Sequence, residues 1–343
     1  MAPQLNIPPG PALPPNPPPP GQTKPLPTPS KSGKIAFAVP NTDLESETWY
    51  SIYGELTAST IPLICLHGGP GMAYNYLLPI SHISTSSAPG GGRPVIMYDQ
   101  IGCGNSTHFA SKSGDEKFWT PSLFISELLN LISALNITTY DLLGQSWGGM
   151  LAATFAASSS PEQLKGLRKL VIADSPSDMH TWVAVADLLR KRLPSSVQET
   201  LTRLEKEQKT ETPEYEQAMM VFYERFVCRV VPFPDELTQT MEQLAKDPTV
   251  YHTMNGPSEF HVSGSLKDWC ITDKLRNIDV ESVLLVNGRF DEAQDVTMEP
   301  YFREVGKGTQ TKVKWVRFAE SSHCPHLEET DAFVEVVGRF LEG

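Results

Sequence analysis

The chain has 343 residues, of which 40% are hydrophobic, and this is enough to bury a sizeable core. It carries 28 lysines and arginines against 40 aspartates and glutamates, a formal net charge of −12. A phosphate backbone repels such a chain, so we do not expect a nucleic acid partner. No apolar run approaches the roughly 18 residues of a membrane-spanning helix, so we expect no membrane partner either.

The five cysteines are odd in number and contain no CxxC pair. This pattern argues against a disulfide framework and against a structural zinc site. The first residues also lack the basic segment and apolar run of a secretory signal. We therefore expect a cytoplasmic protein with reduced thiols.

Residues 1–33 contain 13 of the 30 prolines, including the run Pro17–Pro20. Such a segment cannot build a core, and it is typical of a disordered or polyproline-II arm. The simplest interpretation is a dispensable tail. The alternative is a docking peptide for a partner with an SH3-like or WW-like domain.

From residue 34 onward the pattern becomes globular. Strands are predicted at 34–39, 47–53, 61–66, 94–98, 140–143, 169–173, 283–287 and 311–318. Helices are predicted at 122–135, from 150 onward and at 331–341. Strands that alternate with helices predict a mostly parallel sheet with helices on both faces, an α/β fold.

About 100 residues separate the strands at 169–173 and 283–287, far more than one crossover helix requires. Four helices are predicted in this interval, at 181–193, 197–208, 213–226 and 234–244. We interpret the interval as an inserted helical cap. The predicted organisation is an arm at 1–33, a core at 34–175, a cap at 176–276 and the rest of the core at 277–343.

The segment Gly144-Gln145-Ser146-Trp147-Gly148-Gly149 matches G-x-S-x-G and lies between a predicted strand and a predicted helix. A sharp strand-to-helix turn there would expose the Ser146 hydroxyl as a nucleophile. The glycines would permit close backbone packing, and the helix N-terminus favours developing negative charge.

A second glycine-rich segment, His67-Gly68-Gly69-Pro70-Gly71, follows the strand predicted at 61–66. A turn at this place can direct a backbone N–H at a substrate oxyanion. We expect Gly69 to be that donor, with Gly68 as the second choice. The N–H of Trp147 would be the other donor.

A serine nucleophile also needs a base and an acidic residue that orients the base, and both should follow later strands. Asp291 follows the strand at 283–287, and its rival Asp295 is expected to be the N-cap of a helix. His323 follows the last strand, and its rival His326 is three residues further on. The order Ser146…Asp291…His323 is that of the α/β-hydrolase fold. A metal site at the two histidines lacks carboxylate or cysteine partners at a useful spacing.

Three segments together, HGGPG at 67–71, DQIGCGNS at 99–106 and GQSWGG at 144–149, resemble the proline iminopeptidase family. They are most similar to its branch with the tricorn-interacting aminopeptidase and the L-amino-acid amidases. Bacterial members usually carry arginine at the position of Ile101. The form DQxGCG found here is more similar to the tricorn-interacting branch. The resemblance covers about residues 34–343, and the segment that begins at His323 resembles the family's histidine motif.

The resemblance also implies a site for the free amine of the substrate. Family members bind that amine with two carboxylates, one from the cap and one beside the catalytic aspartate. The segment 255–260 resembles the cap stretch, which makes Glu259 the first carboxylate and Glu292 the second. An ammonium group that enters a partly dry pocket must be paired with negative charge.

We therefore expect a serine hydrolase that cleaves an N-terminal aminoacyl amide bond of a small peptide or amino-acid amide, with no metal and no organic cofactor. One alternative is an esterase, amidase or thioesterase that acts on a small metabolite. The other is a non-catalytic binding protein on the same scaffold, with the proline-rich arm as an adaptor.

Overall fold

The computed structural model describes residues 18–89 and 91–343. In this part of the chain, eight strands form one sheet in the order β1-β2-β4-β3-β5-β6-β7-β8. The strands are β1 (Lys31–Ala38), β2 (Glu45–Tyr53), β3 (Leu63–Leu66), β4 (Val95–Tyr98), β5 (Tyr140–Gln145), β6 (Leu167–Ala173), β7 (Ser282–Gly288) and β8 (Lys312–Phe318). The pairs β1–β2 and β2–β4 are antiparallel, and all the others are parallel. The predicted mostly parallel α/β sheet is confirmed.

The helices of the described chain are α1 (Pro121–Ala134), α2 (Trp147–Ser158), α3 (Met179–Arg190), α4 (Ser195–Lys206), α5 (Pro213–Phe226), α6 (Asp235–Lys246), α7 (Thr249–Met254), α8 (Asp295–Glu304), α9 (Pro325–Glu328) and α10 (Thr330–Glu342). Shorter 3₁₀ segments lie at Tyr74–Ser84, Ala110–Lys112 and Thr272–Asn277. No helix in residues 18–89 and 91–343 combines the length and the apolar character needed to cross a membrane.

The central strands are buried on both faces, as expected for parallel strands covered by helices. Alternate residues of β3 enter two different cores. Ile64 packs on the side of α1 and α2, and Cys65 packs on the side of α10. This two-sided burial explains why the sequence shows short continuous apolar runs rather than alternation.

Helices α3 to α7 all lie between β6 and β7, and we call this segment the cap. Helices α3, α4 and α5 share a separate small core that includes Leu189, Leu201 and Phe222, and Phe260 joins it. Helix α7 was absent from the sequence prediction because its six residues are too few to show a helical period. The domain boundaries at 176 and 276 remain a prediction.

Strand β1 begins at Lys31, three residues before the predicted start at residue 34. Pairing with β2 recruits the residues before the apolar run. Residues 18–30 have no regular secondary structure, but the N–H of Gly21 donates to the carbonyl oxygen of Glu328 at 2.7 Å. Lys24 also pairs with Asp331 at 2.7 Å. Residues 1–17 of the predicted arm at 1–33 lie outside the described residues.

Two glycines allow α2 to start directly against the end of β5. A Cβ atom on Gly144 would overlap the carbonyl oxygen of Gly148, and a Cβ atom on Gly148 would overlap the carbonyl oxygen of Leu66. The absence of a side chain at both positions is therefore what lets the helix approach the sheet.

The variant Gly148→Ala is expected to destabilise the fold by about 2–4 kcal/mol, because backbone atoms cannot move away as a flexible side chain can. The control is Gly33→Ala on the edge strand β1, where the added Cβ would lie at an ordinary 3.4 Å from the ring of Tyr50. That variant should change stability by less than about 1 kcal/mol. Urea unfolding of both proteins checks this, and equal losses would contradict the packing argument.

Candidate active site

Ser146 occupies the sharp turn between β5 and α2. Its backbone has φ 56° and ψ −123°, a left-handed φ that non-glycine residues rarely adopt. Its N–H donates to the carbonyl oxygen of Ala173 at 2.9 Å, which ties the turn to β6. Helix α2 begins at Trp147 and not at residue 150 as predicted, so the Ser146 side chain lies at its N-terminus. That terminus carries partial positive charge.

His323 and Asp291 are hydrogen-bonded through Nδ1 and Oδ1 at 2.6 Å. Asp291 is 0% exposed, and its Oδ1 also accepts the N–H of Ala293 at 2.7 Å. The rival Asp295 is engaged elsewhere, with Arg317 at 2.7 Å and with an asparagine side chain. Asp295 is the first residue of α8 rather than its N-cap, which is Gln294.

The rival histidine, His326, does not line the cavity that contains Ser146. It is fully buried. Its ring packs against Tyr76 and Phe333 at centroid distances of 5.4 and 5.7 Å. Burial lowers the pKa of His326 to about 3, so this imidazole is a neutral core residue. The described residues contain no cluster of three or more potential metal ligands.

A hydrogen-bonded chain links the two glycine-rich segments to His323. The amide of Gln145 donates to the carbonyl oxygen of His323 at 2.9 Å and accepts from the hydroxyl of Tyr76 at 2.6 Å. That hydroxyl in turn accepts the N–H of Gly68 at 2.7 Å. The Gly68 donor is thereby occupied, whereas the N–H of Gly69 has no acceptor among residues 18–89 and 91–343. The sequence did not single out Tyr76, because its role depends on a contact across 69 residues.

The two glutamates that the resemblance selected line the same cavity as Ser146 and His323. Oε1 of Glu259 accepts the hydroxyl of Tyr251 at 2.6 Å. Oε1 of Glu292 lies 3.7 Å from Nε2 of His323, and its Oε2 has no partner in the described chain.

Burial raises the pKa of both carboxyl groups. The negative charges of Glu259 and Asp291 raise the pKa of Glu292 further, to well above its ordinary value. For Glu259, the hydrogen bond from Tyr251 and the nearby His323 offset part of the rise. A cation bound between the two glutamates would therefore stabilise their charged forms.

The cavity has a volume of about 470 Å³ and lies between the sheet and the cap. Its lining contains Glu259 and Glu292 with Tyr223 and Tyr251, two further glutamates (Glu211 and Glu216), and an apolar wall that includes Leu237, Met241 and Leu244. Among the described residues that line it there is no lysine or arginine. Tyr251 was missed from sequence, because nothing in a cap helix distinguishes a wall residue from a core residue.

Comparisons with known proteins agree with this architecture. Residues 61–330 match the family model described as alpha/beta hydrolase fold. The chain is 34% identical over 280 residues to a proline iminopeptidase of Heyndrickxia coagulans. This match covers 82% of the chain and 90% of the relative.

Two solved structures are also similar. The crystal structure of VinJ has a TM-score of 0.83 and 42% identity, and the match covers 92% of this chain and 99% of VinJ. The crystal structure of a proline iminopeptidase from Mycobacterium smegmatis has a TM-score of 0.78 and 41% identity, with coverage of 90% and 98%. With its eight-stranded sheet, its turn at Ser146 and this level of identity, the chain belongs to the proline iminopeptidase family of α/β hydrolases, and it is a hydrolase.

Proposed function

We propose that this hydrolase releases an N-terminal aminoacyl residue from a small peptide or amino-acid amide, with Ser146 as nucleophile, His323 as base and Asp291 as the acid that orients it. The observation that carries the proposal is the content of one cavity. Ser146 and His323 line it together with Glu259 and Glu292, and no lysine or arginine of the described chain neutralises those carboxylates there. Such a cavity suits a substrate that brings its own cation next to the bond to be cleaved.

Acylation begins with proton transfer. Because Asp291 accepts from Nδ1 of His323, the other ring nitrogen is free to act as the base. It takes the proton of the Ser146 hydroxyl as that oxygen attacks the substrate carbonyl carbon. Charge then develops on the carbonyl oxygen, where the N–H groups of Gly69 and Trp147 stabilise it.

The tetrahedral intermediate collapses when His323 returns the proton to the leaving amine. Water then attacks the acyl-enzyme, again with His323 as the base, and the free amino acid is released. The residues that act are held by buried hydrogen bonds, so little reorganisation accompanies the reaction.

Recognition of the amine falls to Glu259 and Glu292. A substrate ammonium between these carboxylates offsets the burial that raises both pKa values and the repulsion that raises the pKa of Glu292 further. It also places the adjacent carbonyl group near Ser146, because only one carbon separates the amine from the carbonyl carbon in an α-aminoacyl group. Binding of the amine by the two carboxylates therefore sets its distance from Ser146 and favours cleavage after the first residue.

The first prediction concerns the free amine. Ser146→Ala should abolish turnover of amino-acid anilides. Glu259→Gln and Glu292→Gln should each raise KM for free-amine anilides about 10- to 100-fold, the loss expected when one hydrogen bond to a charged group is removed. Steady-state kinetics on proline, alanine, leucine and phenylalanine anilides, each with a free and an N-acetylated amine, measures this.

Glu242→Gln, an exposed cap carboxylate outside the cavity, is the matched control and should leave KM unchanged. Turnover of N-acetylated anilides or a plain acyl ester as fast as the free-amine substrates would favour the esterase or amidase alternative. Failure of Ser146 to react with a fluorophosphonate would favour a non-catalytic binding protein.

The second prediction concerns pH. Because the pKa values of Glu259 and Glu292 are raised, the pair is partly protonated at mildly acidic pH and binds an ammonium weakly. KM for a free-amine anilide should therefore fall as pH rises through those pKa values. It should rise again near pH ~8, where the substrate amine loses its proton. A KM profile from pH 5 to 9 tests this, and a flat profile would rule out ionic recognition of the amine.

A further inference from the structure

Asp174 is a buried carboxyl group that the proposed chemistry does not use. It follows β6 directly, is 0% exposed and has a left-handed φ of 51°. Its N–H donates to the carbonyl oxygen of Val286 in β7 at 2.7 Å. The backbone is thus fixed across the ends of two parallel strands, and the side chain lies at the edge of the sheet where Asp291 also lies.

The carboxyl groups of Asp174 and Asp291 are in hydrogen-bonding contact. Oδ2 of Asp291 has no donor in the described chain, and the donor that faces Asp174 is the backbone N–H of Gly288. By contrast, Oδ1 of Asp291 accepts from Nδ1 of His323 and from the N–H of Ala293. Two carboxylates can only accept, so a contact between them in a dry environment requires a proton on one of the two.

The surroundings decide which carboxyl group holds that proton. Asp291 accepts hydrogen bonds from two donors, one of them the imidazole. Asp174 is faced by one donor, the backbone N–H of Gly288, which offsets only part of the rise in its pKa. Burial and the charge of Asp291 raise the pKa of Asp174 well above its ordinary value, and the nearby Glu328 adds to the rise. The other titratable groups that face it are Tyr76 and Cys324, and neither is a cation.

We propose that Asp174 is a positioning residue, held as the neutral acid, that donates its O–H to Oδ2 of Asp291 and so fixes the carboxylate that orients His323. Its catalytic relevance rests on the proposed function. With the donor present, part of the Asp291 charge is shared away from His323. Removal of that donor would leave an unshared carboxylate, which holds the imidazole proton more tightly.

Two substitutions test this without straining the backbone, because asparagine and glycine both tolerate a left-handed φ. Asp174→Asn keeps a donor and carries no charge. It should leave the acidic limb of the kcat/KM profile, and the pKa of His323 followed by NMR, within about 0.3 pH units of wild type. Asp174→Gly removes the donor, so both should move upward by about one pH unit. The same imidazole faces Glu292, Glu259 and His326, which neither variant changes.

A downward shift in Asp174→Asn would overturn the proposal, because it would mean that a negative charge had been removed. An unchanged pKa in Asp174→Gly would overturn it as well. Glu127→Gln is the control, since Glu127 is a buried carboxyl group whose pKa burial raises to about 8 and whose acceptors bind Thr48 and Ile101 rather than the site. It should leave the pKa of His323 unchanged.

Infrared difference spectroscopy of wild type minus Asp174→Asn at pH 7 gives a readout that needs no activity. A carbonyl band of a neutral carboxylic acid supports the proposal, and a carboxylate band overturns it. This measurement holds even if Asp174→Gly fails to fold. If wild type hydrolysed no aminoacyl anilide, the proposed function would fail, whereas the NMR and infrared results would still decide the protonation of Asp174.

Discussion

The close approach of α2 to the carboxyl end of β5 is the constraint on which the site depends. Glycine at 144 and 148 lets backbone pack against backbone, and the turn between them forces Ser146 into a left-handed conformation. Such strain persists only where the surroundings over-determine it. Here the bond from Ser146 to β6 and the two-sided core of the sheet supply that support. The strained turn leaves the serine hydroxyl facing the cavity under the cap.

Acidic side chains outnumber basic side chains around this turn. Besides Asp291, the carboxyl groups of Asp174, Glu292 and Glu328 are buried at or near the site and Glu259 is half-buried, and desolvation raises the pKa of each of these four. Buried like charges repel strongly in a medium of low polarity, so they must share protons or meet a cation. The two proposals above use both solutions. Asp174 and Asp291 share a proton, and the substrate ammonium pairs with Glu259 and Glu292.

The sequence predicted the carboxyl ends of the strands closely, and the site residues come directly after those ends. Ser146, Asp291 and His323 were selected because each follows a predicted strand, and parallel strands bring their carboxyl ends to one edge. The structure separates His323 from His326 on grounds that the spacing could not provide, since one ring reaches Asp291 and the other is enclosed by aromatic side chains. Glu259 was selected by resemblance alone, and the described chain places it in the cavity with Ser146.

The sequence by itself determined the alternation of strands and helices, the glycine-rich turns and the presence of a cap, because these depend on local periodicity and on backbone freedom. Only the tertiary structure decided that Tyr76 occupies the N–H of Gly68, that Tyr251 holds Glu259, and that Asp174 meets Asp291. The physical reason is that such contacts join residues distant in sequence. Their geometry, burial and protonation come into being only when the sheet and the cap pack together.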